Sequence, residues 1–208
     1  MLPLISCLCP TKNDPSIVKK AVNCFNNQTY PNKELILVTD EKNPHLEALK
    51  MFVGGNIKLF EAPHGSVIGT LRNISVDNAR GEYIATWDDD DISHPERIAS
   101  QCAAIKQSNK EVCYLTNTLI KDNIASIIGL SKRGTCVDCT MLALKSTFPR
   151  YNPEASWPYL IEDMPIREYY NKNNQIKWLN KPHLYVYNLH ENNTCNYLAQ
   201  KNWIDIII

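Results

Sequence analysis

An α/β fold with a mostly parallel central sheet is what this sequence predicts, and three observations carry the prediction. Strand-like and helix-like stretches alternate at short intervals over roughly the first hundred residues, the pattern of parallel strands joined by crossover helices. Leu4 to Cys9 is a near-continuous apolar run, as expected of a strand covered on both faces. Four consecutive aspartates, Asp88 to Asp91, follow the apolar segment Tyr83-Ile84-Ala85-Thr86-Trp87, so they fall at a strand end, where open α/β sheets place their ligands.

The elements follow in order. After the first strand, Asp14 is placed to cap a helix with Pro15 at its first position, and Ile17, Val18, Ala21, Val22 and Phe25 form one helical stripe. Gln28 to Lys33 reads as a turn and Glu34 to Val38 as the second strand, ending at Thr39-Asp40. A helix around His45 to Met51, a strand near Ile57 to Phe60 and a helix over Thr70 to Ala79 come next; Gly81 opens the strand that runs into the aspartates. Ser93-His94-Pro95-Glu96 has the spacing of a capping box, with Ile98, Cys102 and Ile105 as the apolar face behind it and Asp91 supporting the helix start. The second half is less regular. It predicts strands at Val112 to Thr116 and Cys136 to Leu144, a Pro- and Trp-rich loop from Pro149 to Pro158, a helix from Glu162 to Tyr170 and a strand at Leu184 to Leu189. No repeat or low-complexity linker interrupts the 208 residues, so a single domain, 1–208, is expected.

Composition removes some function classes. Lys plus Arg equals Asp plus Glu at 22 each, which argues against a general nucleic-acid or membrane-surface binder. No apolar run is long enough to span a bilayer, and Met1 to Cys7 reads as a first strand rather than a signal peptide. The eight cysteines are scattered, several of them in apolar segments, and Cys136-Val137-Asp138-Cys139 is an unaccompanied CxxC. A reducing cytoplasm is the reading this favours over structural zinc or disulfides.

Three polar features lie at the carboxyl ends of predicted parallel strands: Pro10-Thr11, Asp40, and Asp88 to Asp91. Such ends converge on one crevice. Carboxylates there can hold a ribose, a nucleobase, or a hard cation that bridges a diphosphate. A solvated acidic loop is the plainer alternative. There is no Walker A pattern, Gly65 to Gly69 does not satisfy GxGxxG, and Ser93 and Ala99 stand where an EF-hand beginning at Asp88 needs Gly and Glu.

These residues resemble the family 2 glycosyltransferases, inverting enzymes of the GT-A fold. The resemblance is carried by Ser6 to Asn13, Asn27 to Pro31, Glu34 to Asp40, Leu71-Arg72-Asn73, and Ala79 to Ala85 running into the aspartates and His94-Pro95. Weaker matches follow in the expected order: the acidic pair Glu162-Asp163 and the histidine segment His190 to Thr194. The resemblance implies that about 1–108 binds a nucleotide-sugar and about 109–208, a smaller antiparallel or irregular portion, binds the acceptor. Pro10, Thr11, Asp40 and Arg72 would line the pocket of the donor base. Asp88 would face the ribose or a metal-bound water, with Asp89 as the variable middle of the nucleotide-binding segment. Asp90 and His190 would hold a divalent metal, Mn2+ or Mg2+, and Asp163 would be the general base. Trp157 and Glu162 would contribute to an acceptor or sugar pocket. One departure from the family is Glu41-Lys42, where Gly-Ser usually follows the aspartate, which leaves the donor-base loop open in shape.

Each position also has a local explanation: an N-cap for Asp163, an edge-strand histidine for His190, a turn for Asp40, a surface charge for Arg72, packing for Trp157 and Tyr159. The function implied is metal-dependent transfer from a UDP-sugar to a hydroxyl of a glycan or lipid-linked acceptor, in the cytoplasm or at the inner face of the membrane. The apolar end Trp203 to Ile208 offers a contact with membrane or protein. A nucleotidyltransferase and a non-catalytic binding module are the rival readings.

Overall fold

The computed structural model describes residues 1–154, 162–190, 193 and 204–207. In chain order the elements are β1 (Ile5–Pro10), α1 (Pro15–Asn26), β2 (Lys33–Asp40), a single-turn α2 (Leu46–Leu49), β3 (Ile57–Ala62), α3 (Ile68–Asn78), β4 (Tyr83–Thr86), β5 (Ile92–Ser93) and α4 (Arg97–Ser108). Then come β6 (Val112–Leu115), β7 (Leu119–Asp122), β8 (Ile127–Ser131), β9 (Leu142–Leu144), α5 (Met164–Lys172), β10 (Ile176–Leu179), β11 (Tyr185–Leu189) and β12 (Ile204–Ile207).

A seven-stranded sheet has the order β10-β6-β9-β4-β1-β2-β3. Its pairs are parallel except at β9, which runs antiparallel to both β4 and β6. The period-two alternation of the strands decides the layers. Ile5, Cys7, Leu35 and Leu37 face α1 and α4 in one apolar cluster, while Leu8, Ile36 and Val38 face α3 and α5 in another. Strands from both sides of residue 108 enter this sheet. A second, mostly antiparallel sheet of five strands, β12-β8-β7-β11-β5, stands beside it.

The caps explain where several elements start. Asp14 accepts the Ser16 amide at 2.7 Å, and Pro15 opens α1 as its sequence predicts. The capping box expected at Ser93 and Glu96 does not form. Ser93 is drawn into β5, paired with Tyr185, and its hydroxyl accepts from Arg97 Nη1 at 2.8 Å. Arg97 is fully buried, and its Nη2 donates to the carbonyls of Thr86 and Cys139 at 2.9 and 3.1 Å. A buried guanidinium must find acceptors, so it claims the serine that would have capped the helix. Helix α4 starts at Arg97 instead, and Glu96 makes no side-chain cap.

The second half also departs from expectation. The strand predicted over Cys136 to Leu144 shortens to β9, because Cys136 has φ 52° and Asp138–Thr140 forms a 3-10 turn. The hairpin β7–β8 and the edge strand β10 carry too little alternation to be legible in the sequence. Helix α3 is held close to the following loop: a Cβ on Gly69 would lie 2.0 Å from the Asn152 carbonyl oxygen. The side-chain amide of Asn73 and the backbone of Tyr151 exchange two hydrogen bonds, at 2.9 and 3.0 Å.

Candidate active site

The aspartate run bridges the two sheets, leaving β4 in one and entering β5 in the other. Its four carboxylates take four different sets of partners. Asp88 Oδ1 accepts from Arg72 Nη2 at 3.0 Å. Asp89 accepts from the Thr11 hydroxyl and, at 3.0 and 3.1 Å, from Asn13 Nδ2. Asp90 Oδ2 lies 3.2 Å from His190 Nε2. Asp91 accepts from the Tyr185 hydroxyl at 2.6 Å and from the Asn188 amide at 2.7 Å. Asp91 therefore ties the run to β11, where the sequence suggested support of α4.

Burial raises the pKa of Asp88 and pushes Asp89 up to about 6, with the charge of Asp90 adding to both. Asp91 is raised well above the usual carboxylate range for the same reasons. A charged, crowded cluster of this kind is stabilised by a cation.

Pro10 ends β1, and the amide of Thr11, the next residue, donates to the Val38 carbonyl at 2.8 Å. Asp40 ends β2. Its Oδ1 accepts from the Lys42 amide at 2.8 Å and stands 3.1 Å from His64 Nδ1, while Oδ2 accepts from the Gly65 amide at 2.7 Å. These bonds, the Lys42 amide first, lower its pKa to about 2. Gly65 has φ 78°, a left-handed conformation that glycine adopts at little cost. With Glu41-Lys42 in place of Gly-Ser, the loop after β2 is thus closed onto Asp40 through a second loop.

Arg72 links the aspartate run to the segment that starts α5. It projects from α3, only 7% exposed, and its Nε donates to Glu162 Oε1 at 3.1 Å while Nη2 holds Asp88. Its guanidinium also lies over the Tyr151 ring at 5.8 Å. Asp163 sits at the N-cap position of α5, yet its side chain makes no capping bond. Its Oδ1 is sealed from solvent and has no hydrogen-bond partner among the described residues. Burial, and next the charge of Asp138, raise its pKa to about 8. Pro10, Thr11, Asp88 to Asp91, Arg72, Glu162, Asp163 and His190 thus fall into one contact network or directly beside it. Asp40 stands with the loop after β2, and Trp157 lies outside the described residues, as does Tyr159.

Two groupings bear on a metal. Asp90 Oδ2 and His190 Nε2, both partly exposed and 3.2 Å apart, present a hard oxygen and an imidazole nitrogen side by side, a donor set able to take a divalent cation. Asp88, Asp91 and Cys139 also offer three atoms within 4.8 Å of one another. That trio fits poorly. Both Asp91 oxygens are already engaged, and the Cys139 thiol donates to the Cys136 carbonyl with its pKa raised by burial. Asn13, Tyr185 and Asn188 are site residues that sequence reading missed. Asn13 lies inside a motif that could have pointed to it; the other two become visible only once β11 pairs with β5.

The fold and this arrangement define a nucleotide-sugar transferase architecture. Residues 6–161 match the family described as Glycosyl transferase family 2, and the chain belongs to that family. Among curated relatives, an uncharacterised glycosyltransferase of Rickettsia typhi is 31% identical over 111 residues, covering 53% of this chain and 35% of the relative. The UDP-Glc:alpha-D-GlcNAc-diphosphoundecaprenol beta-1,3-glucosyltransferase WfgD of Escherichia coli is 27% identical over 128 residues, covering 61% of this chain and 49% of that protein. The chain therefore spans only part of the length of these relatives. TarS of S. aureus, in a crystal structure with UDP-GlcNAc, superposes with a TM-score of 0.73 at 18% identity, over 92% of this chain and 60% of TarS. The expected GT-A fold is the fold found.

Proposed function

We propose that this chain transfers a sugar from a nucleotide-diphosphate donor, a UDP-sugar, to a hydroxyl of a glycan or lipid-linked acceptor, inverting the anomeric centre in one displacement. The observation that carries this reading is the double grip of Arg72, 3.0 Å from Asp88 and 3.1 Å from Glu162, which joins the donor-side aspartates to the segment holding a base. The UDP-GlcNAc bound by TarS and the lipid-linked substrate in the name of WfgD support the choice of donor and acceptor class.

In this reading Pro10, Thr11, Asp40 and Arg72 frame the donor nucleotide, with Asp88 toward its ribose and Asp89 bracing the β1 end. Asp90 and His190 would hold Mn2+ or Mg2+, which supplies positive charge beside the departing diphosphate. Asp163 takes the proton of the attacking hydroxyl, and a pKa near 8 suits a base working close to neutral pH. Glu162, turned onto Arg72, helps to hold that segment in place, and Trp157 would line the acceptor side. Residues 1–208 act as a single catalytic domain, with the donor handled by about 1–108 and the acceptor by about 109–208.

No described helix is long and apolar enough to cross a membrane. A lipid-linked acceptor would bring the chain to the cytoplasmic face of the membrane, where the apolar stretch Trp203 to Ile208 would offer a contact.

A screen of sugar nucleotides with and without manganese tests the proposal. Release of a nucleoside diphosphate is expected, and Asp163→Asn abolishes transfer while UDP binding stays within about threefold. Wild-type turnover by Asp163→Asn would exclude that residue as the base. Release of pyrophosphate from a nucleoside triphosphate would favour a nucleotidyltransferase, and metal-independent UDP binding without turnover would favour a binding module.

A further inference from the structure

Asp138 has no role in the site described above, yet it is delivered to it. It opens the 3-10 turn Asp138–Thr140, just ahead of β9. Because β9 runs antiparallel to β4, the residues that enter β9 arrive at the edge where β4 gives way to the aspartates. Arg167 Nη1 lies 3.2 Å from Asp138 Oδ2 and donates to the Gly134 carbonyl at 2.9 Å. The Arg167 amide in turn donates to the Asp163 carbonyl at 3.2 Å, one helical turn back. Residues one turn apart share a helix face, about 6 Å from one another. Arg167 therefore holds Asp138 against the face of α5 that begins at Asp163.

The remaining oxygens of the two carboxylates pose a shared problem. Asp138 Oδ1 and Asp163 Oδ1 are both sealed from solvent, and neither has a hydrogen-bond partner among the described residues. Buried acceptors are rarely left unsatisfied. The charged groups around Asp163 are Asp138 from the 3-10 turn, Glu162 beside it, Arg72 from α3 and Asp88 after β4, with the Tyr151 hydroxyl also close enough to feel Asp163. None of them donates to either Oδ1. Neighbouring carboxylates solve this by keeping one proton between them.

We propose that Asp138 and Asp163 form such a pair in the free protein, Arg167 keeping the charge on Asp138, so that Asp138 acts as a positioning residue that sets the protonation state of the base. The pair is argued from the two bonds of Arg167 and the two unpartnered oxygens; its catalytic consequence rests on Asp163 being the base. Burial raises the pKa of both carboxyls, and the charge of Asp138 adds to the rise at Asp163, in keeping with a retained proton. Turnover then requires the pair to release its proton to solvent, after which Asp163 accepts the proton of the acceptor hydroxyl as that oxygen attacks.

Carboxyl-carbon NMR titration of aspartate-labelled protein reads the pair without any substrate. One carboxyl is expected to titrate near neutral pH. Asp138→Asn moves that midpoint down by about one pH unit, because a like charge is lost. Arg167→Gln moves it up, because a cation is lost, and Asp163→Asn removes it. Arg167→Gln keeps both carboxylates, so it decides the matter even if Asp138→Asn fails to fold. Midpoints that stay fixed, or that move the same way in both variants, overturn the pair, since an Arg167–Asp138 ion pair remote from Asp163 would leave the near-neutral midpoint in place. The acid limb of kcat/KM should follow the NMR midpoint. A limb that ignores it removes Asp163 as the base but leaves the pair standing, and a parent chain that turns over no sugar nucleotide defeats the transferase reading alone.

Discussion

Arg72 donates from Nη2 to Asp88 Oδ1 at 3.0 Å, behind the first aspartate of the run. Since its Nε also serves Glu162, replacing it exposes two partly buried carboxylates to each other. Arg72→Met should cost about 3 kcal/mol in denaturant unfolding, the scale for breaking a buried ion pair. Arg72→Lys should recover less than half, because one ammonium cannot serve both acceptors in the geometry of the guanidinium fork. A loss below about 1 kcal/mol for Arg72→Met would mean that the link carries little of the site's stability.

Asp89 and Asp90 are adjacent but should fail differently. Asp89 is buried and engages Thr11 and Asn13, so Asp89→Ala strands two donors and should lower stability by about 1–3 kcal/mol while manganese still stimulates activity. Asp90→Ala should remove the manganese response and leave the melting temperature nearly unchanged. Melting curves and metal titrations on both variants check this. The opposite pattern would place the metal at Asp89.

Asp40 predicts a pH dependence of stability. Its folded pKa, lowered to about 2, lies below the unfolded value of about 4. The stabilisation is therefore complete above about pH 4 and is lost as the pH falls toward 2. Asp40→Asn should flatten the melting temperature across that window relative to the parent, and an unchanged slope would show that the amides of Lys42 and Gly65 do not favour the ionised form.

The residues legible in the sequence are those whose signal is local. Asp14 with Pro15, the near-continuous apolar run from Leu4 to Cys9, and the aspartates just beyond an apolar strand all act over a few positions. Ser93 misleads because its competitor, Arg97, is drawn inward by carbonyls at Thr86 and Cys139 that are distant in sequence. Asp138 is hidden for a different reason. In a parallel sheet the ligand-bearing residues stand just beyond the end of a strand, whereas a reversed strand such as β9 brings to the same edge the residues that precede it. The cysteines on either side of Asp138 also suggest a CxxC pattern and draw the eye away from the carboxylate.

Trp87 to Asp91 spans the gap between the last residue of β4 and the first of β5. At one end Trp87 is anchored by its amide to the Leu8 carbonyl at 2.9 Å and by Nε1 to the Ala21 carbonyl at 3.1 Å. At the other, Asp91 is anchored to Tyr185 and Asn188. A spacer fixed at both ends has no slack, so the separation of its carboxylates depends on how the two sheets pack. The spacing of the aspartates in this chain is thus set as much by the distance between two sheets as by the run itself.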